Sequence, residues 1–218
     1  MNAVILANGE FPSHPIPLKA LREARTVYCC DGAVHKYMRF AQSGEAPHGP
    51  QEVHVVGDCD SIGDPTLFPI PFTLFPVKEQ DYNDLTKTVR YALSRGERAL
   101  TIVGATGLRE DHTLGNISLL SYYLREFGVA ITMLTDYGRF TPIRETTRFD
   151  SYPRQQVSLF SLRNDTPLTT HGLEYPLRRG TLPQWWMGTL NSALGEAFTI
   201  ETEGEAELIV YQTYEAKS

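Results

Sequence analysis

Cysteine, long apolar runs and surplus positive charge are all scarce in this 218-residue chain, and each shortage excludes something. Three cysteines, Cys29 beside Cys30 and Cys59 apart, make neither a disulfide framework nor a zinc-ligand spacing. They read as small buried apolar residues in a reducing compartment. No apolar stretch approaches the roughly 20 residues needed to cross a bilayer. Residues 1–9 lack the basic flank and long apolar core of a secretory signal. The expectation is a cytoplasmic protein with no membrane partner. Lys and Arg number 20 against 26 Asp and Glu, a net charge of −6. Non-specific nucleic-acid binding needs surplus cations to displace counterions, so no nucleic-acid partner is expected. Internal repeats and low-complexity segments are also missing.

What is there, up to about residue 135, is strand and helix in alternation. Val4–Ala7, Thr26–Cys30, Val53–Val56, Phe72–Val77, Ala99–Val103 and Ala130–Leu134 are short β-branched or aromatic runs, expected as strands buried on both faces. Leu85, Val89, Ala92 and Leu93 fall on one helical face, with Gly96 where a C-terminal cap belongs; Leu114, Ile117, Leu120, Leu124 and Phe127 repeat the pattern before Gly128. Leu18–Ala24 and Ala33–Ala41 are shorter helical candidates. Such alternation predicts an α/β fold, a mostly parallel sheet with helices on both faces. From about Phe149 the helical period stops. Gln156–Leu162, Thr170–Arg178, Ala197–Thr202 and Glu207–Tyr211 alternate apolar and polar residues, which predicts a small antiparallel β-sandwich domain. The expected domains are 1–138 and 150–218, with 139–150 as the link.

In a parallel α/β sheet, ligands sit outside the carboxyl ends of the strands. The predicted ends carry Asp31-Gly32, then Gly57-Asp58-Cys59-Asp60-Ser61, then Gln80-Asp81-Tyr82-Asn83-Asp84, then Gly104-Ala105-Thr106-Gly107-Leu108-Arg109-Glu110-Asp111-His112. Carboxylates spaced as Asp58 and Asp60 repel one another unless a cation lies between them, and Mg²⁺ takes one or two carboxylates plus phosphates. Asp31, Asp58, Asp60 and Asp84 are therefore candidate metal ligands. Gly104 and Gly107 let backbone approach a ligand, and Arg109 can fork onto phosphate oxygens. Lys87, one turn into the 85–95 helix, is either a solvated face or a charge on the same phosphates. Asn83 or Asp84 is the helix N-cap in the plainer reading. His112 suits a hydrogen-bonded helix start better than acid–base work, and Trp185 and Trp186 suit core better than a ligand platform. The loop is neither a Walker A nor a dinucleotide fingerprint.

Five motifs, taken together in order, resemble the thiamine pyrophosphokinase (thiamine diphosphokinase) family: CDGA at 30–33, GDCDSI at 57–62, QDYNDLTK at 80–87, GATGLREDHTLGN at 104–116, and GLEYPL at 172–177 followed by GTLN at 188–191. The resemblance implies transfer of a pyrophosphoryl group from ATP to the hydroxyl of thiamine, with release of AMP. It implies Mg²⁺ on Asp31, Asp58, Asp60 and Asp84. It implies ATP contacts at Asp31, Gln80, Asn83, Lys87, Gly104, Ala105, Thr106, Gly107 and Arg109, with Asp58, Asp60, Asp84, Arg109 and Asp111 serving catalysis. Asp111 is the first candidate to accept the hydroxyl proton. Ser61, Leu190 and Asn191 are implied at the thiamine site, within a homodimer whose active sites lie between subunits. The sequence departs from the family pattern at His35 (usually Asn), Asn83 (usually Thr), Leu108 (usually Gly) and Leu190 (usually Ser). The rival readings are a metal-dependent sugar-nucleotide transferase and a non-catalytic nucleotide or thiamine sensor.

Overall fold

The computed structural model describes residues 3–43, 51–58, 60 and 62–216. Cys59 and the expected thiamine contact Ser61 lie outside the described residues. The chain divides into two compact units, Met1–Leu119 with Met133–Asp136, and Leu120–Thr132 with Tyr137–Ser218.

The first unit alternates as the sequence predicts: β1 (Ala3–Leu6), α1 (Pro15–Glu23), β2 (Thr26–Cys30), α2 (Ala33–Gln42), β3 (Glu52–Gly57), β4 (Thr73–Pro76), α3 (Asp84–Ser94), β5 (Leu100–Val103), the start of α4 (Glu110–Phe127), and β6 (Thr132–Leu134). The strands lie in the order β6-β5-β1-β2-β3-β4. β1 pairs in parallel with both β2 and β5, β2 with β3, and β3 with β4. Every residue of β1 and β2 is buried, as strands covered on both faces require. Val27 and Cys29 pack with Leu18 and Leu21 of α1 and with Val34 and Tyr37 of α2. Tyr28 and His54 turn to the opposite face, where the ring of Tyr91 in α3 stands 6.0 and 5.6 Å from theirs. Helices thus cover both faces.

β4 differs from expectation. All four of its residues are exposed, because it closes the sheet and pairs with β3 alone among the described residues. Its apolar run still has a use, since Phe75 stacks on Tyr91 at 4.1 Å.

The second unit is an antiparallel sandwich. β7 (Gly138–Ile143), β9 (Gln155–Ser161), β13 (Leu208–Ala216) and β11 (Asn191–Ser192) form one layer, in the order β11-β9-β13-β7; β8 (Thr147–Asp150), β10 (Leu168–His171) and β12 (Ala197–Thr202) form the other, in the order β10-β12-β8. Val157, Leu159, Leu208 and Val210 of the first layer share one core with Phe149, Leu168, Phe198 and Ile200 of the second. Phe149 and Phe198 stack at 5.0 Å.

Residues 139–150, expected as a link, are instead β7 and β8. The charge and proline that suggested a link are absorbed by the fold. Arg139 donates two hydrogen bonds to the side-chain oxygen of buried Gln212, at 2.8 and 3.1 Å, and Pro142 pairs with Ile209 in the ladder. The expected strand 170–178 stops at His171, where Gly172 takes a φ of 78°.

Candidate active site

The strand order reverses between β1 and β5, because the chain walks outward from β1 to β4 and then returns to the other side of β1. Carboxyl-end loops diverge at such a switch point and leave a crevice. A cavity of about 460 Å³ opens there, within the first unit. Loops after β1 (Ala7, Asn8, Gly9), β3 (Asp58) and β5 (Ala105, Thr106, Arg109) line it, together with the end of β2 at Cys30 and the N-terminal end of α3. The expected residues Asp58, Gln80, Asn83, Asp84, Lys87, Ala105, Thr106 and Arg109 all reach its wall.

The acidic residues converge in part. Asp31 follows β2 with a φ of 42°, its N–H donating to the Val56 carbonyl at 2.8 Å. A Cβ on Gly57 would stand 2.7 Å from the Asp31 Cβ, so glycine at 57 is what lets Asp31 lie against the chain just ahead of Asp58. The carboxyl of Asp84 is pushed up from its ordinary value, chiefly by burial and then by the charges of Asp31 and Asp58, while Lys87 opposes the shift. Asp84 therefore lies within electrostatic reach of both Asp31 and Asp58. Asp60 is exposed and its N–H returns to Asp58 Oδ1 at 3.3 Å, closing a turn at the rim; its side chain does not line the cavity.

Among the described residues, no three His, Cys, Asp or Glu side chains form a cage for a metal ion. Mg²⁺ needs no cage, because one or two carboxylates suffice when phosphate oxygens and water complete its shell. Asp58 and Asp84, both on the cavity wall with Asp31 in electrostatic reach, fit that requirement.

The cations are arranged differently from one another. Lys87 is only 5% exposed, with its ammonium 3.5 Å from Asp84 Oδ1, so the plainer reading of a solvated face fails. Arg109 is exposed and grips Asp111 through Nε at 3.1 Å and Nη2 at 2.6 Å. That pairing, more than the added bond from the His112 N–H, holds the Asp111 carboxyl below its usual value.

Asn83 is the N-cap of α3, accepting from the Thr86 N–H at 2.9 Å. Its amide also approaches Asn116 of α4 at 3.5 Å, and Asn116 donates to the Ala105 carbonyl at 2.9 Å. The two helix starts and the Gly-rich turn are thereby tied together. Gly104 and Gly107 shape the turn with φ of 67° and 88°.

Sequence reasoning passed over Asn8, Gly9, Tyr82, Thr113 and Asn116 as cavity residues. Asn8-Gly9 directly after a predicted strand was the available signal. A Cβ on Gly9 would meet the carbonyl oxygens of Gly104 and Thr106 at 2.5 and 2.6 Å, so only glycine fits beside the turn. Cys29 and Cys30 are free and buried, as expected.

Leu190 and Asn191 belong to the second unit, beside a cavity of about 400 Å³ that Tyr175, Leu177 and Met187 also line. Asn191 is committed internally: its side chain accepts from the Tyr175 N–H at 3.1 Å and donates to the Tyr175 carbonyl at 2.7 Å. Leu190 takes a φ of 63° and is exposed. Trp185 and Trp186 start a 3₁₀ turn, Trp185 donating to the Ser161 carbonyl at 3.2 Å while Trp186 stays exposed.

Fold and rim together define an α/β protein with an acidic, glycine-bordered crevice at the switch point of its sheet. The model of the thiamin pyrophosphokinase catalytic domain matches residues 18–133, and that of the thiamin pyrophosphokinase substrate-binding domain matches residues 138–211. The chain belongs to the thiamin pyrophosphokinase family, and its activity is ATP-dependent pyrophosphorylation of thiamine. Solved structures share the fold. The thiamine pyrophosphokinase of Bacillus subtilis is 22% identical, with 98% of this chain and 99% of that chain covered and a TM-score of 0.75. The thiamin pyrophosphokinase of Candida albicans is 17% identical, covering 97% and 90% with a TM-score of 0.77. That of yeast is 17% identical, covering 98% and 86% with a TM-score of 0.73. No curated protein sequence matches the chain.

Proposed function

We propose that the switch-point cavity of the first unit is where ATP gives up its pyrophosphoryl group. The observation that carries this reading is Asp58 and Asp84 on the wall that the 104–109 turn also lines, with buried Lys87 beside Asp84 and Asp31 in its electrostatic reach. Like charges crowd together in this way where a metal–polyphosphate complex neutralises them. The sugar-nucleotide transferase and sensor readings have no support from the family match.

In the reaction, the thiamine hydroxyl oxygen forms a bond to the β-phosphorus of ATP and gives up its proton to solvent, the bond from that phosphorus to the α,β-bridging oxygen breaks, and AMP leaves with the electron pair. Such transfer needs positioning and charge neutralisation more than covalent help. Asp58 and Asp84, with Asp31 in electrostatic reach, would hold Mg²⁺, which when bound neutralises charge on the phosphate oxygens, and Asp60 stands outside that set at the rim. Lys87 meets phosphate from inside the cavity and Arg109 from its rim; Gln80, Asn83 and the backbone of Gly104, Ala105, Thr106 and Gly107 complete the cradle. Asp111 fits better as the group that orients Arg109 than as the proton acceptor, since its lowered carboxyl is a weak base.

The first unit serves as the ATP and Mg²⁺ domain, and the sandwich that begins at β7 serves thiamine binding and dimerisation. Trp186, Leu190, Leu194 and Tyr175 are 73%, 71%, 64% and 65% exposed on the second unit, an apolar surface of the kind a second copy covers. In the homodimer, Ser61, Leu190 and Asn191 contribute to the thiamine pocket, Asn191 by fixing Tyr175. The setting is the cytoplasm.

Incubation with ATP, Mg²⁺ and thiamine followed by chromatography tests the reaction. Thiamine diphosphate with equimolar AMP is the expected result; thiamine monophosphate with ADP, or no product, overturns it.

A further inference from the structure

Beyond the end of β1 at Leu6 the chain bends at Asn8–Glu10, and its backbone there is hydrogen bonded on two sides. On one side the N–H groups of Ala7, Gly9 and Glu10 donate to the carbonyls of Val103, Gly104 and Thr106, at 2.9, 2.7 and 2.8 Å. The Gly104–Thr106 turn therefore takes its position from residues 7–10. On the other side, Lys36 in the first turn of α2 donates through its ammonium to the Asn8 carbonyl at 3.0 Å and to the Gly9 carbonyl. Asn8, Gly9, Ala105 and Thr106 line the cavity, whereas Lys36 does not.

We propose that Lys36 is a positioning residue for the nucleotide. Its ammonium clamps the Asn8 and Gly9 carbonyls to α2, and through the Gly9–Gly104 and Glu10–Thr106 hydrogen bonds it sets the height of the turn that faces the phosphates. The inference rests on the reading of that cavity as the ATP site. Two features make the relay stiff. Charge-assisted donation to two carbonyls is stronger than a neutral bond. Gly9 touches the turn so closely that no Cβ fits between them, so a displacement of residues 8 and 9 is transmitted to Gly104 and Thr106 instead of being absorbed. Burial and the neighbouring Arg39 both work against the charge on Lys36, so its ammonium is held there at a cost. Lys36 acts from the face of β1 that α2 covers and never meets the ligand. Sequence reasoning had no access to it, since a lysine early in a helix ordinarily reads as solvated.

The test uses the full chain with Lys36→Met and Lys36→Arg. Binding of α,β-methylene-ATP with Mg²⁺ is measured by calorimetry in the absence of thiamine, beside KM for each substrate and thermal melting. Losing two charge-assisted bonds is expected to weaken analogue binding and raise KM for ATP about tenfold in Lys36→Met, with KM for thiamine unchanged. Lys36→Arg, whose guanidinium can also donate to two carbonyls, is expected to bind the analogue as the parent does. If Lys36→Met does not fold, Lys36→Gln, which keeps a neutral donor, is expected to show a smaller loss of the same kind. Parent-like analogue binding in Lys36→Met or Lys36→Gln overturns the proposal. So does an equal loss for both substrates accompanied by a lowered melting temperature, which marks general support of the fold. A parent protein that makes no thiamine diphosphate and binds no analogue overturns the reading of the cavity instead.

Discussion

Asp84 carries opposing demands in a single carboxylate. Burial and the charges of Asp31 and Asp58 raise its pKa above the usual 3.8 despite Lys87. A folded-state pKa above the unfolded one means that the ionised form burdens the fold: the stabilising contribution is full below the unfolded value and is lost as pH rises through the folded one. Asp84→Asn, a neutral near-isostere, is therefore expected to melt at or above the parent temperature at pH 7 and to lose that advantage near pH 3. Turnover should collapse in the same variant. A lowered melting temperature at pH 7 would show that the Lys87 pairing outweighs the repulsion. At this scale the sequence was informative about which residues matter and silent about their states. Asp58, Asp84 and Arg109 follow from strand-end position. That Lys87 is buried and that Asn191 is spent on Tyr175 depend on how the chain packs around them, and that Asp111 is bound to Arg109, two residues away, depends on a rotamer the letters do not reveal.

At the scale of elements, α3 is the most informative. Its apolar period predicts the helix, and the structure makes Asn83 its cap. Because the cap also approaches Asn116, which holds the Ala105 carbonyl, Asn83→Ala is expected to cost about 1 kcal/mol of stability and to weaken ATP binding beyond that, read by melting and by KM for ATP. Asn83→Thr, the family's usual choice, keeps a capping oxygen and should retain both. β4 and residues 139–150 show why elements are misjudged. An apolar run cannot reveal that it ends at the sheet's edge, and a Pro-containing charged stretch cannot reveal that Gln212 awaits its arginine across a ladder. Propensity is local, whereas ladder position is not.

For the whole molecule, the prediction concerns assembly. Trp186, Leu190 and Leu194 stay exposed, with Tyr175, outside the buried core of the sandwich, so sedimentation should find a dimer, and Trp186→Ser with Leu194→Ser should shift it toward monomer and raise KM for thiamine. A parent that sediments as a monomer at working concentration would remove the shared-site reading. The family assignment itself needs no assembly, since the two domain models together span residues 18–211 apart from a short break.

The sequence by itself determined the α/β alternation, the change of texture toward a sandwich, the strand-end motifs and, through them, the family. These are set by period and by contiguous residues. Tertiary structure alone decided that β1 and β5 lie side by side, that Gly9 meets Gly104, and that Lys36 reaches the same backbone from α2. The physical reason is that a hydrogen bond acts only at contact and a charge repulsion only over about 10 Å, while the residues that make this site run from Ala7 to Asn116 along the chain.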